Sequence, residues 1–247
     1  MFPYRDDNPT VLTPVATFAL ILANVAAWAL LQGLGTEPAL PRSVCTLGLI
    51  PGELLGQVES GTRVQLGPST ACVLTGTSTW YTVVTSMFLH GGWLHLIGNM
   101  WFLWVFGNNV EDSMGHIRYV LFYLLCGVAA ATAQILTNPA STIPMVGASG
   151  AISGIMGAYI VLYPRVRVHM LVFLGFFITT IAVPAWVMLG YWFLLQLLGG
   201  VPSLGSERGG VAFWAHAGGF AAGMVLIFLF RDRRLVARRT RLVGPYN

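Results

Sequence analysis

Apolar residues in this chain gather into long runs separated by short polar or glycine- and proline-containing breaks. Six runs stand out, at roughly 13–34, 93–110, 118–137, 148–163, 168–198 and 211–230. A helix crossing the ~30 Å hydrocarbon core needs about 20 residues. The runs therefore predict an all-α, polytopic membrane bundle of six transmembrane helices. Between the first two lies segment 35–92, too interrupted by Gly and Pro to cross, which reads as a folded outer loop. The fourth run covers only about 24 Å, so its N-terminus starts below the outer surface. Irregular backbone at that depth must line protein or a water-filled cavity. That predicts a recess open to the outside.

Composition agrees with the pattern. Of 247 residues, 55% are hydrophobic and 9% charged, against about 25% charged in soluble domains. The first run exceeds the roughly 7–15 apolar residues of a signal peptide, and the Arg5-Asp6-Asp7 leader is not basic. It reads as a retained transmembrane helix. The net charge of +4 reflects an arginine-rich tail, which is an orientation signal beside a membrane helix and gives no support to nucleic-acid binding. With the N-terminus inside, the inner segments hold Arg5, Arg118, Arg165, Arg167, Arg231, Arg233, Arg234, Arg238, Arg239 and Arg241. The outer segments hold only Arg42, Arg63 and Arg208. Both termini are therefore expected in the cytoplasm of a bacterial inner or plasma membrane. The expected divisions are an N-terminal segment 1–12, a membrane domain 13–230 and a tail 231–247.

Depth brings a few polar residues together. Counted from Arg165, Ser149 lies about 24 Å above the inner face, and counted from Arg231, His216 lies about 22 Å above it. Counted from Glu111, His95 and Asn99 lie about 24 and 18 Å up, and their i, i+4 spacing puts them on one helix face. Polar residues inside a membrane span are functional candidates, and Ser with His is a nucleophile with its base. Ser149 also begins a helix, where free N–H groups and the positive dipole end can hold an oxyanion. Ser149, Ser153 and Gly157 at steps of four, beside Gly150 and Gly154 in the fourth run, and Gly219 and Gly223 in the sixth, form small-residue stripes that let two helices approach closely. No Asp or Glu lies at this height: Glu111, Asp112 and Asp232 sit at the inner face, and Glu37, Glu53, Glu59 and Glu207 in outer loops. The pattern points to a Ser-His dyad. No HExxH run or Cys/His cluster implies a metal, and no cofactor is implied.

These motifs resemble the rhomboid intramembrane serine proteases. The resemblance rests on Gly147-Ala148-Ser149-Gly150, on His95-x-x-x-Asn99, and on Ala215-His216-x-x-Gly219-x-x-x-Gly223. It extends through Met87-Phe88-Leu89-His90-Gly91-Gly92-Trp93 to Glu111-Asp112, and covers about 86–230. It implies a six-helix core with Ser149 as nucleophile and His216 as general base and later acid. It also implies an oxyanion hole from Asn99, His95 and the Ser149 N–H. The substrates implied are single-pass or polytopic membrane proteins, cut within a transmembrane segment near its outer end. The fifth span, with Phe173, Phe176, Phe177, Trp186, Trp192 and Phe193, would be a lateral gate against the second. Two positions depart from the family pattern. Trp80-Tyr81 replaces a frequent Trp-Arg, which questions how the loop is anchored. Ser153 stands where some bacterial members have a Tyr packed on the histidine, so His216 must be oriented by something else.

Other readings stand beside this one. A non-catalytic rhomboid-like protein could bind and escort membrane clients. A haem or ion site could use His90, His95 and His216, although no acid lies at their depth. Taken singly, Ser149 could bond a backbone carbonyl and His216 could be an interhelical donor. His90 reads as a loop or interface residue, His116 and His169 as inner-face positions, and Cys126 as helix packing. Cys45 and Cys72 share the outer loop, where both the bridged and the reduced form are open.

Overall fold

The computed structural model describes residues 2–66, 70–77, 79–175, 177–203 and 211–243. Its strands and α-helices run β1 (Phe2–Asp6), α1 (Val15–Leu30), α2 (Ala39–Leu47), α3 (Pro51–Leu54), β2 (Arg63–Gln65), β3 (Ala71–Val73) and α4 (Thr82–Thr85). They continue with α5 (Trp93–Met114), α6 (His116–Thr137), α7 (Ser149–Leu162), β4 (Arg167–Leu174), β5 (Phe177–Pro184), α8 (Ala185–Gly200), α9 (Phe213–Phe230) and α10 (Arg233–Val243). The bundle is built from α1, α5, α6, α7, α8 and α9, the mostly helical membrane class that the apolar runs predict. By length and composition α6, α9 and α8 (extended to Ser203) could each cross a membrane, while α1 and α7 are apolar but shorter.

Helix α7 is the centre. It packs against α5, α6, α8 and α9, and every residue from Gly150 to Tyr159 is buried. A helix enclosed on all sides has no polar face, which is why its sequence is uniformly small or apolar. The approach of α9 is backbone to backbone. A Cβ at Gly219 would overlap the Gly150 carbonyl oxygen, and one at Gly223 that of Gly154. Phe106, Tyr119, Phe122, Tyr123, Ile155 and Tyr159 fill the core around these helices.

The arginine-rich end is held by the acids of α5. The buried Glu111 carboxylate accepts the Ala16 and Thr17 N–H groups at 2.8 Å each and the Thr17 hydroxyl at 2.6 Å. This satisfies orphan donors in the first turn of α1 and places negative charge at its positive end. Asp112 accepts the Leu12 N–H at 2.7 Å and faces the Arg239 guanidinium of α10 at 3.6 Å. Arg239 also donates to Asn8 and to the Pro9 carbonyl. His116 and His169 sit at this end too, paired with Glu111 and Asp7.

The run 168–198 is not one helix, and this corrects the sequence reading. Its first half forms the antiparallel hairpin β4–β5, in register from Arg167↔Pro184 to Leu174↔Phe177. Strand β1 adds to it, giving the order β1-β4-β5. The physical reason is local. Val168, Val172, Ile178, Thr179, Thr180, Ile181 and Val183 are β-branched and favour a pleated strand. Apolar content alone does not separate a strand from a helix. Gly175 takes φ +62° between the strands, and Pro184 stands at the N-cap of α8. Among the expected gate aromatics, Trp186, Trp192 and Phe193 lie on α8, whereas Phe173 and Phe177 lie on the hairpin. Phe176, Glu207 and Arg208 fall outside the described residues. Helix α5 also runs past the expected Val110 to Met114, where Gly115 at φ +80° turns the chain into α6.

The described residues of segment 35–92 form a folded unit, and its anchors are specific. Cys45 and Cys72 are disulfide-bonded, with Cα atoms 5.5 Å apart. Glu53 accepts the Thr75 N–H at 2.7 Å. Leu49 bridges Met145, and the Gly52 N–H donates to the Ser141 carbonyl at 2.9 Å, docking the segment on the α6–α7 connection. Trp80 and Tyr81 are exposed; the Tyr81 hydroxyl donates to the Thr46 carbonyl at 3.3 Å.

Candidate active site

At the end of the bundle away from the arginines lies a cavity of about 510 Å³, lined by His95, Asn99, Ser149 and His216 together with Trp192. All four expected polar side chains therefore meet in one space, as the depth counts require.

Ser149 is the first residue of α7, so the N–H groups beside it have no acceptor within the helix. The preceding Gly147 has φ +135°, a conformation L side chains rarely adopt. A Cβ there would sit 2.9 Å from His95 Nε2 and 3.4 Å from Ser149 Oγ. Glycine keeps that gap open, and its N–H is tied to the Ser86 carbonyl at 2.9 Å. Ser153, one turn on, donates to the Ser149 carbonyl at 2.6 Å.

His216 comes from the first turns of α9. Its Nε2 lies 2.7 Å from Ser149 Oγ, and its Nδ1 lies 2.8 Å from Gln196 Oε1 of α8. A carboxamide oxygen only accepts, so Nδ1 carries the proton. Nε2 is then bare and accepts the serine hydroxyl. Trp192, one turn before Gln196, places its ring 5.9 Å from the imidazole.

The other wall is α5. The Gly91 N–H donates to His95 Nδ1 at 3.2 Å, which leaves the proton on Nε2, the nitrogen nearest the Gly147 gap. Asn99 is buried, yet its Nδ2 has no hydrogen-bond partner among the described residues. Buried donors are almost always satisfied; Trp28 Nε1 and the Tyr119 and Tyr123 hydroxyls are also without a partner among the described residues, but unlike them Asn99 belongs to the cavity lining. The turn entering α5 is fixed by Gln32, which donates to the His90 carbonyl and accepts the His90 N–H, both at 2.8 Å. The His90 ring packs edge-on to His95 at 5.2 Å.

Sequence reasoning overlooked Gln196 and the place of Trp192 beside His216. The available signal was slight: Gln196 is the only carboxamide in the run 168–198. Its neighbours on both sides are apolar, so hydropathy hides it.

Residues 77–233 match a family model, the Rhomboid domain. Among curated proteins the chain is similar to the Rhomboid protease GluP of Bacillus subtilis (strain 168), 33% identical over 64% of this chain and 29% of that protein. It is similar to the Rhomboid-like protease 5 of Toxoplasma gondii, 31% identical over 60% of this chain and 16% of that protein. A third relative is the chloroplastic Rhomboid-like protein 11 of Arabidopsis thaliana, 42% identical over 31% of this chain and 27% of that protein. The chain thus spans less than a third of the length of each of these relatives.

Proposed function

This chain belongs to the rhomboid family, and we propose that it is an intramembrane serine endopeptidase working through Ser149 and His216. The observation that carries the reading is the 2.7 Å contact between Ser149 Oγ and an unprotonated His216 Nε2 inside the cavity. The substrates proposed are single-pass or polytopic membrane proteins, presented from the lipid bilayer. The proposed setting is a bacterial inner or plasma membrane with both chain termini cytoplasmic. The proposed divisions are segment 1–12, membrane domain 13–230 and tail 231–247.

In this mechanism the Ser149 oxygen attacks the scissile carbonyl carbon while Nε2 takes the hydroxyl proton. The carbonyl oxygen becomes an oxyanion. Asn99 Nδ2, His95 Nε2–H and the Ser149 N–H are the proposed donors to it. All three stand ready before the charge develops, which is what gives such donors their effect. The imidazolium then protonates the leaving nitrogen as the C–N bond breaks, and an acyl-serine remains. Water enters, gives its proton to Nε2, and releases the second product with the serine restored. The aromatic side of α8 next to the cavity, Trp192 above all, is the proposed entry wall for substrate.

A fluorophosphonate probe tests the reading. The wild-type protein in detergent or liposomes should be labelled at Ser149, and both Ser149→Ala and His216→Ala should lose labelling and cleavage of a transmembrane substrate. Labelling that persists in Ser149→Ala refutes the assignment. A binding and escort protein without catalysis would show no labelling in the wild type.

A further inference from the structure

We propose that Gln196 is a positioning residue for His216, and that it makes proton acceptance at Nε2 depend on where α8 sits. The inference rests on the serine-protease reading above and extends it to a third side chain.

The direction of the hydrogen bonds decides the case. Gln196 Nε2 lies 3.2 Å from the Trp192 carbonyl oxygen, one turn earlier in the same helix. Two oxygens cannot share a hydrogen bond, so the amide nitrogen must face that carbonyl and the amide oxygen must face His216. The oxygen lies 2.8 Å from Nδ1 and fixes the proton there. Reversing the amide would place a donor against Nδ1 and drive the proton to Nε2. An N–H at Nε2 cannot accept the serine proton. The helix backbone thus selects the tautomer through one side chain.

Gln196 is buried at 8% exposure, and its carboxamide fills the place that an acid holds in a Ser-His-Asp triad. A carboxylate so far from water would be costly; a neutral amide supplies the acceptor without that charge. The groups facing His216 are Ser149 from α7 and Gln196 and Trp192 from α8, and across the cavity the titratable neighbour is His95 from α5. Helix α8 is itself seated on α9 by Phe193, stacked on Phe220 at 4.7 Å. Displacement of α8 breaks the Nδ1 bond and releases the tautomer, so the base is set only when α8 is docked.

Two variants test this. Gln196→Met keeps length and packing but offers Nδ1–H no comparable acceptor; kcat should fall about 10- to 100-fold, the scale on which losing the partner of the second nitrogen acts for a metal-bound histidine. Gln196→Glu keeps an acceptor for Nδ1–H but sets its other oxygen toward the Trp192 carbonyl, so it should recover part of that loss. Its carboxylate favours the imidazolium, so its acid limb of activity against pH should move to higher pH than in the wild type. Imidazole ¹⁵N shifts should report Nδ1–H in the wild type and a tautomer mixture in Gln196→Met. Wild-type turnover with an unmoved tautomer in Gln196→Met overturns the proposal. So does an equal loss in both variants with the acid limb unmoved, since that is a packing effect only. Failure of the serine-protease reading is separate and shows as labelling or cleavage by Ser149→Ala in the same assay.

Discussion

The two ends of helix α5 treat polar groups in opposite ways. Near its C-terminus, the carboxylates of Glu111 and Asp112 are buried and engaged: Glu111 accepts from two N–H groups and a hydroxyl, and Asp112 is shared by the segment entering α1 and by Arg239. About three turns earlier, Asn99 is also buried, but its Nδ2 has no partner among the described residues, and the residue lines the cavity. A buried donor without a partner costs about 1–3 kcal/mol. One end of the helix uses polarity to hold elements together. The other keeps polarity in reserve for a charge that exists only during reaction.

If that contrast is right, mutations should separate by end. The largest effect is expected at the cavity: Asn99→Ala should lower kcat about 10²- to 10³-fold with thermal stability unchanged or slightly raised. A matching fall in melting temperature would break the contrast. Glu111→Ala comes next. It strands the N–H groups of Ala16 and Thr17, and unfolding in detergent should show a loss of about 2–3 kcal/mol. Probe labelling of the protein that remains folded should persist, because Ser149 and His216 are untouched. The smallest effect belongs to Asp6, between Tyr159 and Asn109. Burial pushes its carboxyl up to about 6. A carboxyl whose folded pKa is raised holds its proton more tightly in the folded state. The contribution is complete below about pH 4 and is lost as pH rises through about 6. Protection factors in β1, taken relative to the intrinsic exchange rate at each pH, should rise on going from pH 7 to pH 5, and Asp6→Asn should flatten that dependence.

Much of the bundle could be read from the chain because lipid imposes one rule on every residue of a span. Ser149 and His216, 67 positions apart, could be placed at one height because helical rise is constant. Glycine stripes forecast the α7–α9 approach for a similar reason, since only small residues permit it. What escaped lies where that rule is silent. The run 168–198 satisfies hydropathy equally as strand or helix, and its β-branched clustering was outweighed by its length. Gln196 escaped because its meaning depends on helical phase: which side of α8 meets α9 is a tertiary fact. The Cys45–Cys72 bridge is not legible in the sequence because it depends on a Cα distance, which the docking of α2 against β3 supplies.

The hairpin has one more consequence. Its ladder ends at Arg167↔Pro184, and α8 begins at the next residue. The sheet is therefore the datum for the helix's angular phase. A residue inserted between Pro184 and Ala185 would turn α8 by about 100° and swing Gln196 off the imidazole. A matched pair added across the β4–β5 turn would leave that phase alone. The small sheet at one end of the molecule thus acts as the index mark for a side chain at the other.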